Sequence, residues 1–429
     1  MENSGYEAYA VGGCIRDSLR GEKPKDWDIC TSALPKQMIE VFKEERIIET
    51  GLKHGTITIL LNNTPYEVTT YRVDGKYTDN RRPDNVKFVD VLKRDLARRD
   101  FTINAMAYNP KTGLVDYYDG QKDIEYKKIK CVGNPNKRFQ EDALRIMRAL
   151  RFASELGFTI DEDTKQAMED NRKLLQNISA ERIATELNRF IIGKDVNVLL
   201  MNHQQIFTEI IPELVNTIGF EQNTPYHCYD VFTHTTHSIQ NAPTDVKLRL
   251  TMFFHDIGKP DCYTEDEIGI GHFYGHAAVS VEKAELILKR LKYDNDTIET
   301  VKELILYHDA ELQTRNKNIK RWLNRIGEER FRQLIQVQNA DGMSQEHIHG
   351  EQKRLSLEKV LLMLDVILEE QQCFSLKDLA VNGKDIVDMG VLEGKQVGII
   401  LNRLMDMVID EEIENNRESL LKEAAKLAG

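Results

Sequence analysis

Two aspartates near the start of the chain, in the stretch KDWDICT, have the spacing of a metal site. Asp26 and Asp28 stand at i and i+2, so on a β-strand both carboxylates would point to one face and could share hard divalent cations. The alternative is a surface turn with two solvated aspartates, which is the commoner meaning of an isolated Asp-x-Asp. The pair by itself leaves both interpretations open.

A glycine pair lies just upstream, in VGGCIRD. Gly12 and Gly13 allow backbone N–H groups to approach an anion closely, and a helix that starts near Ile15 would add its positive end. Arg16 and Asp17 follow in the same stretch. An anion-binding turn beside paired carboxylates predicts phosphoryl or nucleotidyl transfer by two metals, which activate a hydroxyl and stabilise the leaving pyrophosphate.

A later stretch, EDALR, places an acid three residues before an arginine. Asp142 and Arg145 are three residues apart, so on one helix they would present a fixed acceptor beside a fork of donors, as the edge of a base does. An ordinary intrahelical salt bridge is the alternative.

A second set of candidate ligands lies in VFTHTTHSI, FFHDIGKP, YGHAAVS, LYHDAEL and QNADGMS. They are His234, the adjacent His255 and Asp256, Asp341 and, for a second ion, His276 and His308. Imidazoles combined with carboxylates suit Mn²⁺, Ni²⁺, Co²⁺ or Fe²⁺ better than Mg²⁺. A lone histidine on an apolar helix is usually a satisfied core residue, but five ordered elements favour a metal centre.

The composition sets the class of protein that carries these residues. The 429 residues suffice for several domains, and 41% hydrophobic with 30% charged residues predicts a soluble globular chain without a membrane-spanning run. The N-terminus lacks the features of a signal peptide and the six cysteines are scattered, so we expect a cytoplasmic protein. A net charge of −12 argues against indiscriminate nucleic-acid binding but leaves room for a local basic track.

The elements that must position the candidate residues are of two kinds. The first part alternates β-rich runs, such as GTITILL and YEVTTYRV, with turns and one helical segment, PKQMIEVFKEE. From RFQEDALRIMRALRF onward, apolar residues recur at helical spacing and strands vanish. Polar seams at Ile211–His227 and Ser344–Arg354 divide the helical part. We therefore predict an α+β head (1–126), an all-α neck and RNA-binding region (127–215), a helical body (216–345) and a helical tail (346–429).

Three stretches resemble the signatures of one family. GGCIRDSLRGEKPKDWDICTSALP, RRDFTINAMAY and VGNPNKRFQEDALRIMRALRFA look like those of class II tRNA nucleotidyltransferases (CCA-adding enzymes) and bacterial poly(A) polymerases, in the same order over roughly the first 190 residues. The resemblance implies a polymerase-β-like nucleotidyltransferase head. It also implies that tRNA is the partner and that CCA, or part of it, is added to its 3′ end from CTP and ATP.

The resemblance assigns roles to the first set of residues. Asp26 and Asp28 would be the catalytic metal ligands, and we expect Mg²⁺ there. The implied nucleotide-binding residues are Gly12, Gly13, Arg16, Arg98, Arg99, Asp100 and Asn104, of which the last four would contact ribose and triphosphate. A solvated helix face is the alternative for the arginine pair. Glu67, on the next predicted strand, could be a third metal carboxylate or could pair with Arg72.

The base would be read by Asp142 and Arg145, with Glu141 in support, as the resemblance implies. The stretch Tyr71–Phe88 lacks periodicity and predicts a mobile loop. In the resembled enzymes a flexible loop at this place helps the switch from C to A addition.

Two further features concern contact with RNA. A basic track at the junction of head and neck could hold acceptor phosphates, and it comprises Lys122, Lys127, Lys128, Lys130, Lys137, Arg138, Arg148, Arg151 and Arg172. The tail resembles that of the same family, where we expect a contact with the tRNA body, and carries Gly383, Gly390, Gly394 and Gly398. Helix C-caps are the commoner reason for such glycines.

The order of the second set of ligands resembles that of HD-family metallophosphohydrolases. This implies an HD-type body with Ni²⁺, Mn²⁺ or another transition metal, and a phosphatase and 2′,3′-cyclic phosphodiesterase activity that repairs tRNA ends. A degenerate HD domain that only scaffolds is the alternative. For the whole chain, the rival functions are a poly(A) polymerase and an HD phosphohydrolase acting on nucleotides or RNA ends.

Overall fold

The structure, a computed structural model, describes residues 1–49, 51–75, 85–225, 227–392 and 394–428. The chain divides into two compact units, Met1–Val215 with Arg290–Tyr293 and Asn216–Lys289 with Asp294–Gly429. The first unit mixes strands and helices and the second is almost entirely helical, which confirms the predicted α+β class. Within the described ranges, every helix is too short or too polar to cross a bilayer.

A mixed sheet is the framework of the first unit. The strands of this unit are β1 (Ala8–Val11), β2 (Asp28–Thr31), β3 (Arg46–Ile48), β4 (Thr56–Leu61), β5 (Thr64–Thr70), β6 (Arg72–Asp74), β7 (Val86–Phe88), β8 (Met106–Asn109), β9 (Gly113–Asp116), β10 (Lys128–Ile129) and β11 (Thr159–Ile160). Among the described residues, seven of them form one sheet in the order β3-β4-β5-β2-β1-β8-β9. The pair β2 and β5 is parallel, whereas β1 pairs with β2 and β8 in antiparallel fashion.

The helices of the first unit lie between and after these strands. They are α1 (Gly13–Leu19), α2 (Pro35–Val41), α3 (Leu92–Ala97), α4 (Gly120–Glu125), α5 (Pro135–Glu141), α6 (Leu144–Leu156), α7 (Glu162–Asn171), α8 (Ala180–Ile191), α9 (Val196–Asn202) and α10 (Gln204–Ile210). On β4, the buried Ile57 and Ile59 alternate with partly buried positions and pack with Met38 of α2. On α6, Ile146 and Leu150 are fully buried one turn apart, and their neighbours in the sequence are buried as well, so this helix is enclosed on most sides.

The second unit is built almost entirely from helices, three of which are capped by aspartates. The helices are α11 (Val231–Asn241), α12 (Val246–Phe254), α13 (His276–Arg290), α14 (Asn295–Tyr307), α15 (Asn316–Gly342), α16 (His347–Glu369), α17 (Gly383–Asp388), α18 (Lys395–Ile409) and α19 (Arg417–Ala428), with a hairpin of β12 (Thr264–Glu265) and β13 (Gly271–His272). Asp230, Asp245 and Asp294 accept backbone N–H groups at the starts of α11, α12 and α14. Helix α15 is interrupted at Gly327, whose φ is 76°.

From Arg138 onward the sequence indicated helices without strands, but the structure has short strands there. They are β11 and the hairpin strands β12 and β13, each with two residues. Pairs this short bury too little to leave a period-two pattern in the sequence.

The predicted seam at Ser344–Arg354 is a turn only in its first part. Glu346 accepts the N–H groups of Ile348 and His349, so α16 begins inside the seam. Of the predicted loop Tyr71–Phe88, residues 76–84 lie outside the described ranges, and its flanks pair as β6 and β7.

Two of the four tail glycines lie in the turn between α17 and α18. Gly390, with φ 93°, follows α17, and Gly394, with φ 123°, precedes α18. Gly383 begins α17 and Gly398 lies inside α18.

Candidate active site and metal centre

The glycine turn of the first unit lies between two arginines. Gly12 has φ 84° and ψ −128°, a conformation that side-chain-bearing residues rarely adopt, and its N–H donates to the carbonyl of Met106. A Cβ atom at Gly12 would lie 2.9 Å from Nη1 of Arg99, and one at Gly13 would lie 3.6 Å from Nη2 of Arg16. Two guanidinium groups thus approach a backbone turn at the start of α1, which suits a polyphosphate.

Carboxylates gather beside this turn where the start of β2 pairs with the middle of the parallel strand β5. Asp28 begins β2 and lies opposite Glu67 of β5. Asp26 precedes β2, which corrects the expectation that both aspartates lie on the strand, because pairing with β5 starts only at Asp28. Partial burial and the charges of Asp26 and Glu67 raise the pKa of Asp28, while Arg99 opposes them. A divalent cation would relieve this repulsion, so the all-carboxylate set fits a hard metal such as Mg²⁺.

The position of Glu67 favours the interpretation that it is a metal ligand over the alternative that it forms an ion pair with Arg72. Strand pairing puts Glu67 beside Asp28. Arg72 donates to the carbonyl of His54 and lies 3.6 Å from Oδ1 of Asp74.

Asp100 and Asn104 are buried in a hydrogen-bond network. Oδ1 of Asp100 accepts the N–H of Phe101 at 2.8 Å and Nδ2 of Asn104 at 3.2 Å, and Oδ2 accepts two bonds from Arg148 at 2.9 and 2.7 Å. Oδ1 of Asn104 accepts Nη1 of Arg16 at 2.7 Å. Four donors saturate a carboxylate. This geometry favours an indirect role for Asp100, which holds the residues around the nucleotide; its direct contact with ribose stays a prediction.

The charge of Asp100 is maintained by its neighbours. Burial favours the neutral acid, but the Arg148 and Arg145 guanidinium groups and the Asn104 amide hold the pKa of Asp100 well below its usual range.

From the sequence, Arg148 and Phe152 of α6 were not connected with Arg16, one of the residues expected to bind the nucleotide. Three guanidinium groups lie around the Phe152 ring, those of Arg16 at 5.2 Å, Arg148 at 5.3 Å and Arg151 at 4.1 Å from its centre. The three-residue spacing of Arg145, Arg148 and Arg151 was the available signal, since it places a row of cations on one face of α6.

Asp142 and Arg145 do not share one helix, contrary to the sequence expectation. Helix α5 ends at Glu141, and Asp142 is extended, with φ −138° and ψ 103°. Its Oδ1 accepts the N–H of Leu144, which begins α6, and its Oδ2 lies 3.2 Å from Nη2 of Arg182. The side chain competes with the helical backbone for a donor, and the helix breaks there. The carboxylate is thereby fixed between the two helices.

Arg145 of α6 contacts Arg98, a member of the arginine pair that was expected to bind the nucleotide. It donates to Oε2 of Glu141 and to the carbonyl of Arg98, each at 3.0 Å. Arg98 itself donates to Oδ1 of Asp95 at 2.9 Å. The alternative, an intrahelical salt bridge between Asp142 and Arg145, is wrong, because Arg145 pairs with Glu141.

The predicted basic track separates into two groups. The exposed members are Lys122, Lys127, Lys128, Lys130 and Lys137. The arginines pair with carboxylates of the same unit, namely Arg138 with Glu141, Arg148 with Asp100, Arg151 with Glu186 and Arg172 with Glu209. The lysines are therefore the better candidates for phosphate contacts.

In the second unit, five helices bring ligand atoms to one buried point. His234 lies on α11, His255 and Asp256 directly follow α12, His276 begins α13, His308 follows α14, and Asp341 is near the end of α15. Among the described residues, ligand atoms lie within 4.8 Å of one another in the groups His234–His255–Asp341, His255–Asp256–His308 and His276–His308–Asp309. All six predicted residues thus come together.

Each histidine of this cluster is oriented by its Nδ1 atom. The Nδ1 atoms face the carbonyls of Ser344 at 3.2 Å for His234, Met252 at 2.7 Å for His255, Phe273 at 2.9 Å for His276 and Ile305 at 2.6 Å for His308. A carbonyl only accepts, so Nδ1 carries the hydrogen and Nε2 is directed to the centre. The Nε2 atoms of His234 and His255 are 3.3 Å apart, and those of His276 and His308 are 3.2 Å apart. The donor set fits one or two transition-metal ions.

Asp256 lies between the two histidine pairs. Its Oδ2 is 3.2 Å from Nε2 of His255, and its Oδ1 is 3.4 Å from Nε2 of His276 and 3.6 Å from that of His308. Both oxygens are buried and lack a hydrogen bond of good geometry among the described residues, although Nζ of Lys259 lies 2.8 Å from Oδ2. If metal ions are bound here, Asp256 could supply a ligand atom on the side of each histidine pair.

The charges at the centre favour an ionised carboxylate and a protonated imidazole. Burial would lower the pKa of His255, but Asp256 and Asp341 outweigh it and raise the pKa to about 9. Burial favours neutral Asp341, yet Lys353, at 2.7 Å, and His234 hold the pKa of Asp341 well below its usual range. A metal therefore has to displace a proton from His255.

Three family profiles match successive parts of the chain. The profile described as Poly A polymerase head domain matches residues 8–130, and that of an RNA and SrmB-binding site of polymerase A matches residues 157–217. A profile for tRNA nucleotidyltransferase domain 2 matches residues 265–424, which include His276, His308 and Asp341.

Whole-length relatives are similar to the chain in sequence. A CCA-adding enzyme of Pediococcus pentosaceus is 33% identical over 431 residues, covering 100% of this chain and 96% of the relative. One of Levilactobacillus brevis is 34% identical over 425 residues, covering 98% and 94%.

Solved structures are similar in fold. The Bacillus stearothermophilus CCA-adding enzyme in complex with CTP superposes with a TM-score of 0.71 at 27% identity, covering 99% of this chain and 94% of the other. The Thermotoga maritima CCA-adding enzyme complexed with tRNA gives a TM-score of 0.63 at 18% identity, covering 99% and 92%, and shows likeness of fold.

Proposed function

The chain belongs to the family of CCA-adding enzymes, and from this premise we propose how its residues divide the work. It is a nucleotidyltransferase that adds CCA to tRNA 3′ ends from CTP and ATP, with divalent metal. The observation that carries the assignment of the catalytic site is the parallel register that sets Asp28 beside Glu67, with Asp26 close enough to shift the pKa of Asp28.

Asp26, Asp28 and Glu67 would hold the metal, which we expect to be Mg²⁺. When bound, such ions lower the pKa of the attacking 3′-hydroxyl and stabilise the leaving pyrophosphate. The protein's own part includes a nearby positive charge. Arg99 opposes the burial and the repulsion by two carboxylates that raise the pKa of Asp28.

The glycine turn and its two arginines would bind the triphosphate. The Gly12 conformation leaves Cα uncovered, so Arg99 and an anion can approach the backbone. Arg16 is held by Asn104, and Asn104 in turn by Asp100. This chain of hydrogen bonds fixes the guanidinium before the nucleotide arrives, which reduces the cost of binding.

Asp142 and Arg145 would read the incoming base. Asp142 is fixed by the N–H of Leu144 and by Arg182, and Arg145 by Glu141 and the carbonyl of Arg98. Fixed donors and acceptors reject a wrong base because they would be left unpaired.

An extension assay tests this division of roles. Purified protein receives tRNA that ends at the discriminator base or at CC, with CTP, ATP, UTP or GTP supplied singly. We expect Asp28→Ala to lose all incorporation, and Asp142→Ala and Arg145→Ala to lose preference among nucleotides. Wild-type preference in both of the latter variants would place base reading elsewhere, and long poly(A) products would favour the rival function.

A second function is proposed for the buried centre of the second unit, that of a metal-dependent phosphohydrolase. The observation that favours it is Asp256, whose buried oxygens lie between two pairs of histidine Nε2 atoms. Hydrolysis of 2′,3′-cyclic AMP and p-nitrophenyl phosphate, with Mn²⁺ or Ni²⁺, should vanish in Asp256→Asn, while CTP addition with Mg²⁺ continues. A wild-type protein without hydrolysis with any divalent metal would make this centre a scaffold.

A further inference from the structure

The cavity above the metal centre has an aromatic rim. It has a volume of about 670 Å³, and its lining includes Asp256, His276, His308, Asp341, Lys259, Lys353 and Tyr274. A space of this size accommodates a mononucleotide.

The Tyr274 side chain lies at the mouth of this cavity and is largely exposed to solvent. It is 80% exposed, and its ring stacks on that of His272 with centres 5.3 Å apart and 11° between the planes. Nε2 of His272 lies 3.2 Å from Oδ2 of Asp266, and Oδ1 of Asp266 accepts the N–H groups of Ile268 and Ile270. The hairpin thus supports one face of Tyr274, while most of its surface is open to solvent.

Two lysine ammonium groups lie beside the metal ligands inside the cavity. Nζ of Lys259 lies 2.8 Å from Oδ2 of Asp256, and Nζ of Lys353 lies 2.7 Å from Oδ2 of Asp341. Ammonium groups next to metal ligands attract a phosphate. An open aromatic face at the rim is complementary to a planar ring at the other end of the same molecule.

Building on the phosphohydrolase function above, we propose that Tyr274 is a stacking platform for the base of a nucleoside phosphoester. The ligand is a free nucleotide or the 3′-terminal nucleotide of an RNA, since both present a base and a phosphoester at the same spacing. Stacking on an aromatic ring tolerates all bases. The platform therefore selects for the presence of a base, not for its identity.

Binding is the measurement that tests this proposal. Calorimetric affinities of the Mn²⁺-loaded protein are compared for adenosine 3′-monophosphate, a trinucleotide with a 3′-phosphate, and base-free β-glycerol phosphate. The variants are Tyr274→Ala, Tyr274→Phe and, as a matched control on the same hairpin, Ile268→Ala, since Ile268 is also 80% exposed. Tyr274 lines the cavity and Ile268 does not, and both lie in the second unit, so nucleotide bound at the site of the first unit contributes equally in all variants.

We expect Tyr274→Ala to weaken binding of adenosine 3′-monophosphate about tenfold, with Tyr274→Phe and Ile268→Ala close to wild type. β-Glycerol phosphate should bind all variants alike. The same loss with the trinucleotide identifies RNA ends as ligands, and a loss confined to the mononucleotide identifies free nucleotides. Equal binding of adenosine 3′-monophosphate by Tyr274→Ala and wild type, or an equal loss with β-glycerol phosphate, overturns the platform.

The outcome also separates the platform from the hydrolase. Tyr274-dependent binding without hydrolysis by wild type contradicts the hydrolase and supports the platform. Hydrolysis that prefers nucleotides equally in wild type and Tyr274→Ala contradicts the platform and supports the hydrolase.

Discussion

Arg148 donates two hydrogen bonds to a single oxygen of Asp100, at 2.9 and 2.7 Å, across 48 residues of sequence. Through this pair, α6 is joined to the network that ends at Arg16 and the glycine turn. The helix that we expect to read the base is therefore connected to the turn that we expect to bind the triphosphate.

Arg148→Ala should destabilise the first unit by about 2 kcal/mol, because it leaves the Asp100 carboxylate buried without its main counter-charge. Arg189→Ala is the control. Its partner Glu155 lies at 2.7 Å, but the Arg189 side chain is 51% exposed, so a change of about 0.5 kcal/mol or less is expected. Urea unfolding measures both, and equal effects would contradict a special role of the Asp100 pair.

Asp100 should make stability depend on acid pH. Its pKa is lowered in the folded protein, so its contribution is present above the unfolded-state pKa and is lost as pH falls towards the folded-state value. The difference in unfolding free energy between wild type and Asp100→Asn should therefore be largest near neutral pH and shrink below about pH 4. A difference that is constant down to acid pH would mean that the charge does not contribute.

Gly12→Ala should reduce kcat/KM for CTP and ATP at least about tenfold, because the added methyl group meets Arg99 and the backbone becomes strained. Gly21→Ala is the matched control, since Gly21 has φ 76° but open space around its Cα. Single-nucleotide incorporation kinetics compare the two. Equal losses would assign the effect to backbone strain alone.

Glu67→Gln should lower the rate of CTP incorporation with Mg²⁺ about 100-fold if it is a third metal ligand, since one anionic ligand is lost without a change of shape. Glu40→Gln on α2 serves as the control, because the Glu40 side chain is 76% exposed. A rate close to wild type for Glu67→Gln would leave the metal to Asp26 and Asp28.

The second unit should bind Mn²⁺ or Ni²⁺, and Asp256→Asn should lose this metal, because Asp256 faces both histidine pairs. Metal content after dialysis, measured by atomic emission, checks this. His203→Ala is a suitable control, since His203 is a buried histidine of the first unit that pairs with Glu169. Unchanged metal content in Asp256→Asn would move the site away from these residues.

The predictions from sequence were most accurate for residues that lie close together in the chain. The glycine turn and the aspartates lie within 17 positions, from Gly12 to Asp28, and needed only short-range geometry. The helix break at Asp142 was not foreseen, because one side-chain bond to Leu144 outweighs the apolar periodicity on both sides.

The other differences between prediction and structure come from pairs of residues that are far apart in the sequence. Arg148 and Arg151 were assigned to RNA, because a sequence shows a charge but not the carboxylate that neutralises it from another helix. In the second unit, the order of the ligands predicted that they would meet. The carbonyls that fix each Nδ1 could not be predicted, since every backbone residue carries one.

The meeting of His234 and Asp341 at 3.0 Å closes a segment of 107 residues. An ion held by both would act on the unfolded chain as a cross-link does, since it forbids the many conformations in which these ends are far apart. The benefit grows with the length of the closed segment, and this one spans five helices. Metal supply would then govern how much of the chain stays folded, independently of any reaction at the centre.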